Sequence, residues 1–291
     1  MQIAPDRMEF GLNSEPLSRT NGPVEGPAAP FGHRFDAVLI GSDVSRGEAS
    51  VAAAGGRAVA AFGWGEEIRM AGRPVLVIEA QGTDEQTIAE ALPDIARFAV
   101  ERGCRVVAAF DREAIDVMAA SLLGAGVELL CEPDLPERIA ALLRASNGED
   151  EPEPLLREEN GENGAAAFGV EPPSEPVGSP RDLRRAIRSR RLRDEFFMPG
   201  LFADPAWDML LDLYAAELED QPVSVSSLCI AAAVAPTTAL RWIARMQEDG
   251  LLQRKPDAND RRRAFMALTE VARLGMRNYL LAIRRAGLSV A

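Results

Sequence analysis

The sequence predicts an α/β segment built on a parallel sheet, followed by a mainly helical segment that includes a strand hairpin, an α+β arrangement. Three observations carry this. Between residues 35 and 147, short apolar runs alternate with helix-period patterns. Beyond residue 181 helical patterns dominate, and the one strand-like stretch reads "LLQRKPDANDRRRAFMALT". Between the two lies "ASNGEDEPEPLLREENGENGAAAFGVEPPSEPVGSP", acidic and rich in Pro and Gly, with too little apolar surface to offset the entropy of ordering. The expected division is a flexible arm over 1–34, an α/β domain over 35–147, an acidic disordered linker over 148–180 and a helical domain over 181–291.

The first strand is "FDAVLIGSD", a short apolar run stopped by turn residues. "RAVAAFG" reads as a second strand and "RPVLVIEAQG" as a third. "TDEQTIAEALPDIARFAVERG" is a helix, with Thr83 as the expected N-cap and Asp84 and Glu85 favouring its positive end. Pro93 is expected to bend or split it. "CRVVAAF", "REAIDVMAASLLGAG", "VELLCEP" and "DLPERIAALLRA" then alternate strand, helix, strand, helix. Strands apolar on both faces call for helices on both sides, and five of them suit a flavodoxin-like sheet with any site at the carboxyl ends. In the second segment, "PRDLRRAIRSRRLRDEFF" opens as a very basic helix. "DPAWDMLLDLYAAELED" follows, with Trp207, Leu210, Leu211 and Tyr214 on one face. "SVSSLCIAAAV" and "PTTALRWIARMQEDG" are two short helices around a tight turn, the hairpin comes next, and a last helix spans about 270–286.

Composition narrows the chemistry. The 291 residues hold 32 Lys+Arg against 45 Asp+Glu, a net charge of −13. Residues 1–180 have 14 basic against 31 acidic residues, a net of −17, whereas residues 181–291 have 18 against 14, a net of +4. Such asymmetry suits either nucleic-acid contact by the basic part or an acidic part that solubilises an ordinary one. Cys104, Cys131 and Cys229 are too few and too scattered for a disulfide framework or a metal knuckle. The single histidine, His33, lies in a Gly/Pro-rich stretch and reads as a surface or linker residue. No metal, no cofactor and no catalytic nucleophile–base pair is legible, so no enzyme is expected. No apolar run reaches the ~18–20 residues of a membrane span, and no basic-then-apolar start suggests a secretory signal; a cytoplasmic protein is expected.

The two short helices and their turn are what a helix-turn-helix needs. Pro236 opens the second, Leu240, Ile243 and either Met246 or Ala244 face inward, and Thr237, Thr238, Arg241 and Arg245 are left to face a major groove. Arg261, Arg262 and Arg263 fall near the hairpin tip, where arginine can enter a narrow minor groove. Over "SVSSLCIAAAVAPTTALRWIARMQEDGLLQRKPDANDRRRAFMALT", residues 224–269, the chain resembles the winged helix-turn-helix of the MarR family, a likeness extending over about 200–288. The resemblance implies that Asp260 holds Arg262 for minor-groove entry and that Pro236, Thr237, Thr238 and Arg241 meet the major groove. It departs from the family in the roughly 180 residues that precede it. The basic run Arg184–Arg193 reads equally as a phosphate-contacting arm or as a dimerisation helix with a solvated basic face.

Residues 35–147 also resemble the receiver domains of response regulators, in a degenerate form. Those domains need an acidic pair, a phosphoacceptor Asp, a hydroxyl and a Lys-Pro. Here Asp43 stands alone, Glu79 occupies the acceptor position, Ala108, Ala109 and Phe110 end the fourth strand and Glu132-Pro133 replaces Lys-Pro. A receiver-like domain that takes no phosphate and serves interaction or dimerisation is expected. The whole reads as a homodimeric transcriptional regulator on a pseudo-palindromic duplex, with another regulatory protein as a further partner. Two alternatives stay open: a winged helix that has lost DNA and serves protein contacts, or an α/β domain that binds a small-molecule signal.

Overall fold

In the computed structural model, which describes residues 34–124, 126–148, 178–198, 201–260 and 262–288, five parallel strands form one sheet. They are β1 (Asp36–Gly41), β2 (Arg57–Phe62), β3 (Val75–Glu79), β4 (Val106–Phe110) and β5 (Val127–Cys131), in the order β2-β1-β3-β4-β5. That order is the 2-1-3-4-5 arrangement of doubly wound sheets. Every residue of β3 and of β4 is buried, as strands covered on both faces require. Helices α1 (Ser45–Ala53) and α4 (Leu135–Asn147) cover one face, where Leu39, Val51, Val77, Leu130 and Leu142 form a core. Helices α2 (Glu85–Arg102) and α3 (Ile115–Leu122) cover the other.

Three details differ from the sequence reading. Asp84, not Thr83, caps α2, its carboxylate accepting from the Thr87 N–H at 2.9 Å. A carboxylate also meets the positive end of the helix, which the Thr83 hydroxyl does not. Pro93 leaves α2 one helix from Glu85 to Arg102, since Ile88, Leu92, Ile95 and Ala99 hold its apolar stripe on the sheet. Helix α1 lies in a stretch the sequence pattern left unassigned.

The second part begins with α5 (Pro180–Leu192) and α6 (Pro205–Leu218). The basic run is largely consumed internally. Arg184 pairs with Asp212 and Glu219, Arg190 with Asp208, and Arg191 donates to the carbonyls of Ile230 and Ala231. On α6, Leu211 and Tyr214 are buried while Trp207 is half-buried, its ring edge-on to Tyr279 at 4.8 Å. The short β6 (Val223–Ser224) leads into α7 (Val225–Ala231) and α8 (Pro236–Glu248). Strands β7 (Leu252–Pro256) and β8 (Ala264–Leu268) form the hairpin, with β6 on the far side of β8, and α9 (Glu270–Arg285) ends the fold. No single helix among the described residues is long and apolar enough to cross a membrane. The expected arm over 1–34 and linker over 148–180 lie almost wholly outside the described residues.

Thr269 joins hairpin to helix. Its hydroxyl donates to the Gly250 carbonyl at 2.7 Å and accepts from the Ala272 N–H at 3.3 Å, so it caps α9 and ties it to the end of α8. Thr269→Ala is expected to cost about 1 kcal/mol, and up to about 2, of folding free energy in urea titration.

Candidate nucleic-acid interface

Ser224 starts the two-helix unit as N-cap, its hydroxyl accepting from the Ser227 N–H at 3.1 Å. Val225, Leu228 and Cys229 turn inward from α7. The turn to α8 passes through Ala233 at φ 56°, a left-handed conformation that a non-glycine residue adopts at a cost of about 1–2 kcal/mol. Ala233 itself is exposed, and its N–H donates to the Ile230 carbonyl at 3.3 Å. Pro236 then opens α8, where its missing N–H is no loss. Leu240, Ile243 and Met246 are buried against the rest of the helical part, as the 3.6-residue period requires; Ala244 and Trp242 are half-buried.

The opposite side of α8 is divided. Thr238 and Arg245 are exposed, and Arg245 reaches along the helix to Asp249 at 3.0 Å. Thr237, expected to face outward, is only 3% exposed: its Oγ1 accepts the Cys131 N–H of β5 at 3.1 Å. Arg241 likewise turns to the α/β part, donating through Nε to Glu128 at 3.1 Å. The physical reason is the edge of the sheet. β5 presents an unpaired amide row on one side, and α8 covers it. One buried apolar cluster runs from the α2/α3 face of the sheet into the helical part, through residues such as Met118, Leu129, Leu240 and Ile243.

The hairpin forms a wing. Asp257 accepts the Asn259 N–H at 2.8 Å, and Asp260 accepts the Arg262 N–H at 3.0 Å. The Arg262 guanidinium lies on the Asp260 carboxylate through two bonds of 3.0 and 3.1 Å. That clasp holds the Asp260 carboxyl below the usual carboxylate range. Arg262 and Arg263 keep 43% and 63% of their side chains exposed, so positive charge stands at the wing tip with its geometry set by Asp260. Arg261 lies outside the described residues. The sequence reading missed Arg254 on β7, whose guanidinium donates to the Ala119 and Ala120 carbonyls of α3 at 2.7 and 2.9 Å.

At the carboxyl ends of the sheet the polar groups are engaged with one another. Glu79, 3% exposed, bonds Arg138 of α4 at 2.5 Å, and the same guanidinium reaches Gln81. Gln81 also accepts from Arg46 at 3.1 Å. Burial pushes the Glu79 carboxyl above its ordinary value, and the Arg138 guanidinium offsets part of that rise. A side chain on Gly47 would lie 2.8 Å from the Glu79 Oε1, so α1 approaches this pair only because Gly47 has none. Asp43 is exposed and accepts the Ser45 N–H at 3.0 Å; the Ser45 bonds lower its pKa.

A family described as a winged helix DNA-binding domain matches residues 210–272, from α6 into α9. The geometry of this part is that of a winged helix, and residues 210–272 are similar to that family. A search of curated proteins finds no match. Solved structures similar to part of the chain include MepR of S. aureus bound to ethidium bromide, at 17% identity, covering 37% of this chain and 73% of that one, with a TM-score of 0.25. A probable transcriptional regulator from Pseudomonas aeruginosa is 24% identical, with 36% and 74% covered and a TM-score of 0.24. A mutant MarR from E. coli is 18% identical, with 39% and 79% covered and a TM-score of 0.25.

Proposed function

We propose that the chain is a transcriptional regulator that reads duplex DNA as a homodimer, each winged helix addressing one half of a pseudo-palindromic site. The observation that carries this reading is the wing: a bidentate Asp260–Arg262 clasp that leaves Arg262 and Arg263 exposed, beside a helix-turn-helix similar to a DNA-binding family. In a major groove, Pro236, Thr237, Thr238, Arg241 and Arg245 supply the reading face of α8, while Arg261, Arg262 and Arg263 approach the minor groove. Arg262→Ala is expected to weaken duplex binding at every salt concentration and to reduce the slope of log K against log salt by about one, read by fluorescence anisotropy. Absence of duplex affinity at low salt contradicts the reading.

Pairing of two copies is supported by the large apolar side chains exposed between α5 and α6, Phe196, Phe197, Met198, Leu201 and Phe202, because patches of this kind mark interaction surfaces. The division into an arm, a receiver-like domain over 35–147, an acidic linker and a winged-helix domain over 181–291 belongs to this proposal. So does the role of the first domain in contacts rather than catalysis. Incubation with a small-molecule phosphodonor and Mg²⁺ is expected to leave the intact mass unchanged, because the Glu79 carboxylate is committed to Arg138. A phosphorylated species at Glu79 or Asp43 contradicts it. A second reading, a winged helix kept for protein contacts, is favoured by the burial of Thr237 and the pairing of Arg241 with Glu128.

A further inference from the structure

Among the described residues, four side-chain hydrogen-bond contacts tie the winged helix to the α/β part, and in three of them the winged helix is the donor. Ser226 of α7 donates its N–H and its hydroxyl to the Asp116 carboxylate, at 2.9 and 2.7 Å. Arg241 of α8 donates to the Glu128 carboxylate. Arg254 of β7 donates to two carbonyls at the C-terminal end of α3, the negative end of that helix. Only the Thr237 contact runs the other way, its hydroxyl oxygen accepting from Cys131. The donors come from the first helix, the second helix and the wing strand. Those are the elements with which a winged helix meets phosphates and base edges. Opposite them stand two carboxylates and a row of carbonyls, the same acceptor chemistry that a phosphate backbone offers.

Resting on the duplex-binding reading above, we infer that the α/β part masks the DNA-reading face of its own winged helix. Asp116, Glu128 and the carbonyl end of α3 occupy donors that DNA needs, and duplex binding requires β5 and α8 to part. The covalent connection permits this. Residues 149–177 join the two parts, a length of chain able to span ~100 Å when extended. The seam is also imperfectly packed: a cavity of about 60 Å³ lies there among Arg105, Glu128, Leu129, Leu240, Arg241 and Arg245. Closure and DNA are therefore competitors for one surface, and anything that binds the α/β part better when it is detached turns the regulator on.

The test uses the full chain and its Asp116→Asn/Glu128→Gln double variant. Both substitutions keep side-chain size, and the new glutamine still offers an oxygen to Arg144. Two readouts are taken: affinity for duplexes selected at low salt, and hydrogen exchange of the β5 amides, where Cys131 is held by Thr237. The expected result is affinity at least about tenfold tighter in the variant, with β5 exchanging faster in the variant and in the wild type once duplex is added. Equal affinities, with β5 protected in the DNA complex, overturn the inference and leave the duplex reading standing. Unchanged β5 protection in the variant overturns it whatever the DNA does. If β5 exchanges freely in the variant and still no duplex binds, the duplex reading itself is lost and the mask with it.

Discussion

Glu79→Ala is expected to lower the folding free energy by about 3–5 kcal/mol, and Arg138→Ala by a similar amount. The two side chains are 3% and 7% exposed and bond each other at 2.5 Å. Removing either leaves a buried charge without its ion-pair partner. Ionised groups far from water are costly, and the cost falls on whichever one remains. Replacing both at once, Glu79→Leu with Arg138→Met, is expected to cost far less than either single change and to restore most of the stability. Urea unfolding of the three variants separates the outcomes. A pH titration adds a sign. Because the folded-state pKa of Glu79 is raised, the folded protein holds that proton more tightly than the unfolded chain does. Its contribution to stability therefore declines as pH rises from the ordinary glutamate value towards the raised one, and Glu79→Gln removes that slope.

Ile243→Ala is expected to cost about 2–5 kcal/mol and to weaken duplex binding in step. Ile243 is wholly buried on the inner face of α8, in the cluster that includes Leu211, Leu228 and Met266. Its loss opens a cavity in the packing that sets how α8 sits on α6 and α7. Arg245→Ala, on the exposed face of the same helix, is expected to leave the unfolding midpoint nearly unchanged, since its i,i+4 pair with Asp249 is solvent-screened. Thermal unfolding of the two variants side by side distinguishes a core position from a surface one.

The strands of the sheet were legible because each is a short apolar run closed by turn residues, and β8 because its apolar run follows a polar turn; its alternation shows only in burial. Helix α1 was not. "SRGEASVAA" buries only Gly47, Ser50 and Val51, so its periodic apolar signal is too weak to separate from a loop. The Asp260–Arg262 pairing was implied by the family resemblance, and in the fold the two side chains, two residues apart, bond at 3.0 Å. The covered face of α8 was not, because its partners come from elsewhere in the chain. Thr237 meets an amide 106 residues away, and Ser226 a carboxylate 110 residues away. A hydroxyl followed one turn later by an arginine suits a DNA groove and the edge of a sheet equally well. Arg254 was passed over for a related reason: in a hairpin rich in arginine, only the fold tells which one turns back to α3.

The most direct test of the central claim is selection from a random duplex library by the full-length chain at low ionic strength. The account predicts enrichment of an inverted repeat whose half-sites lie about one helical turn apart, and loss of that enrichment with Arg262→Ala. A selected pool indistinguishable from the protein-free control contradicts it.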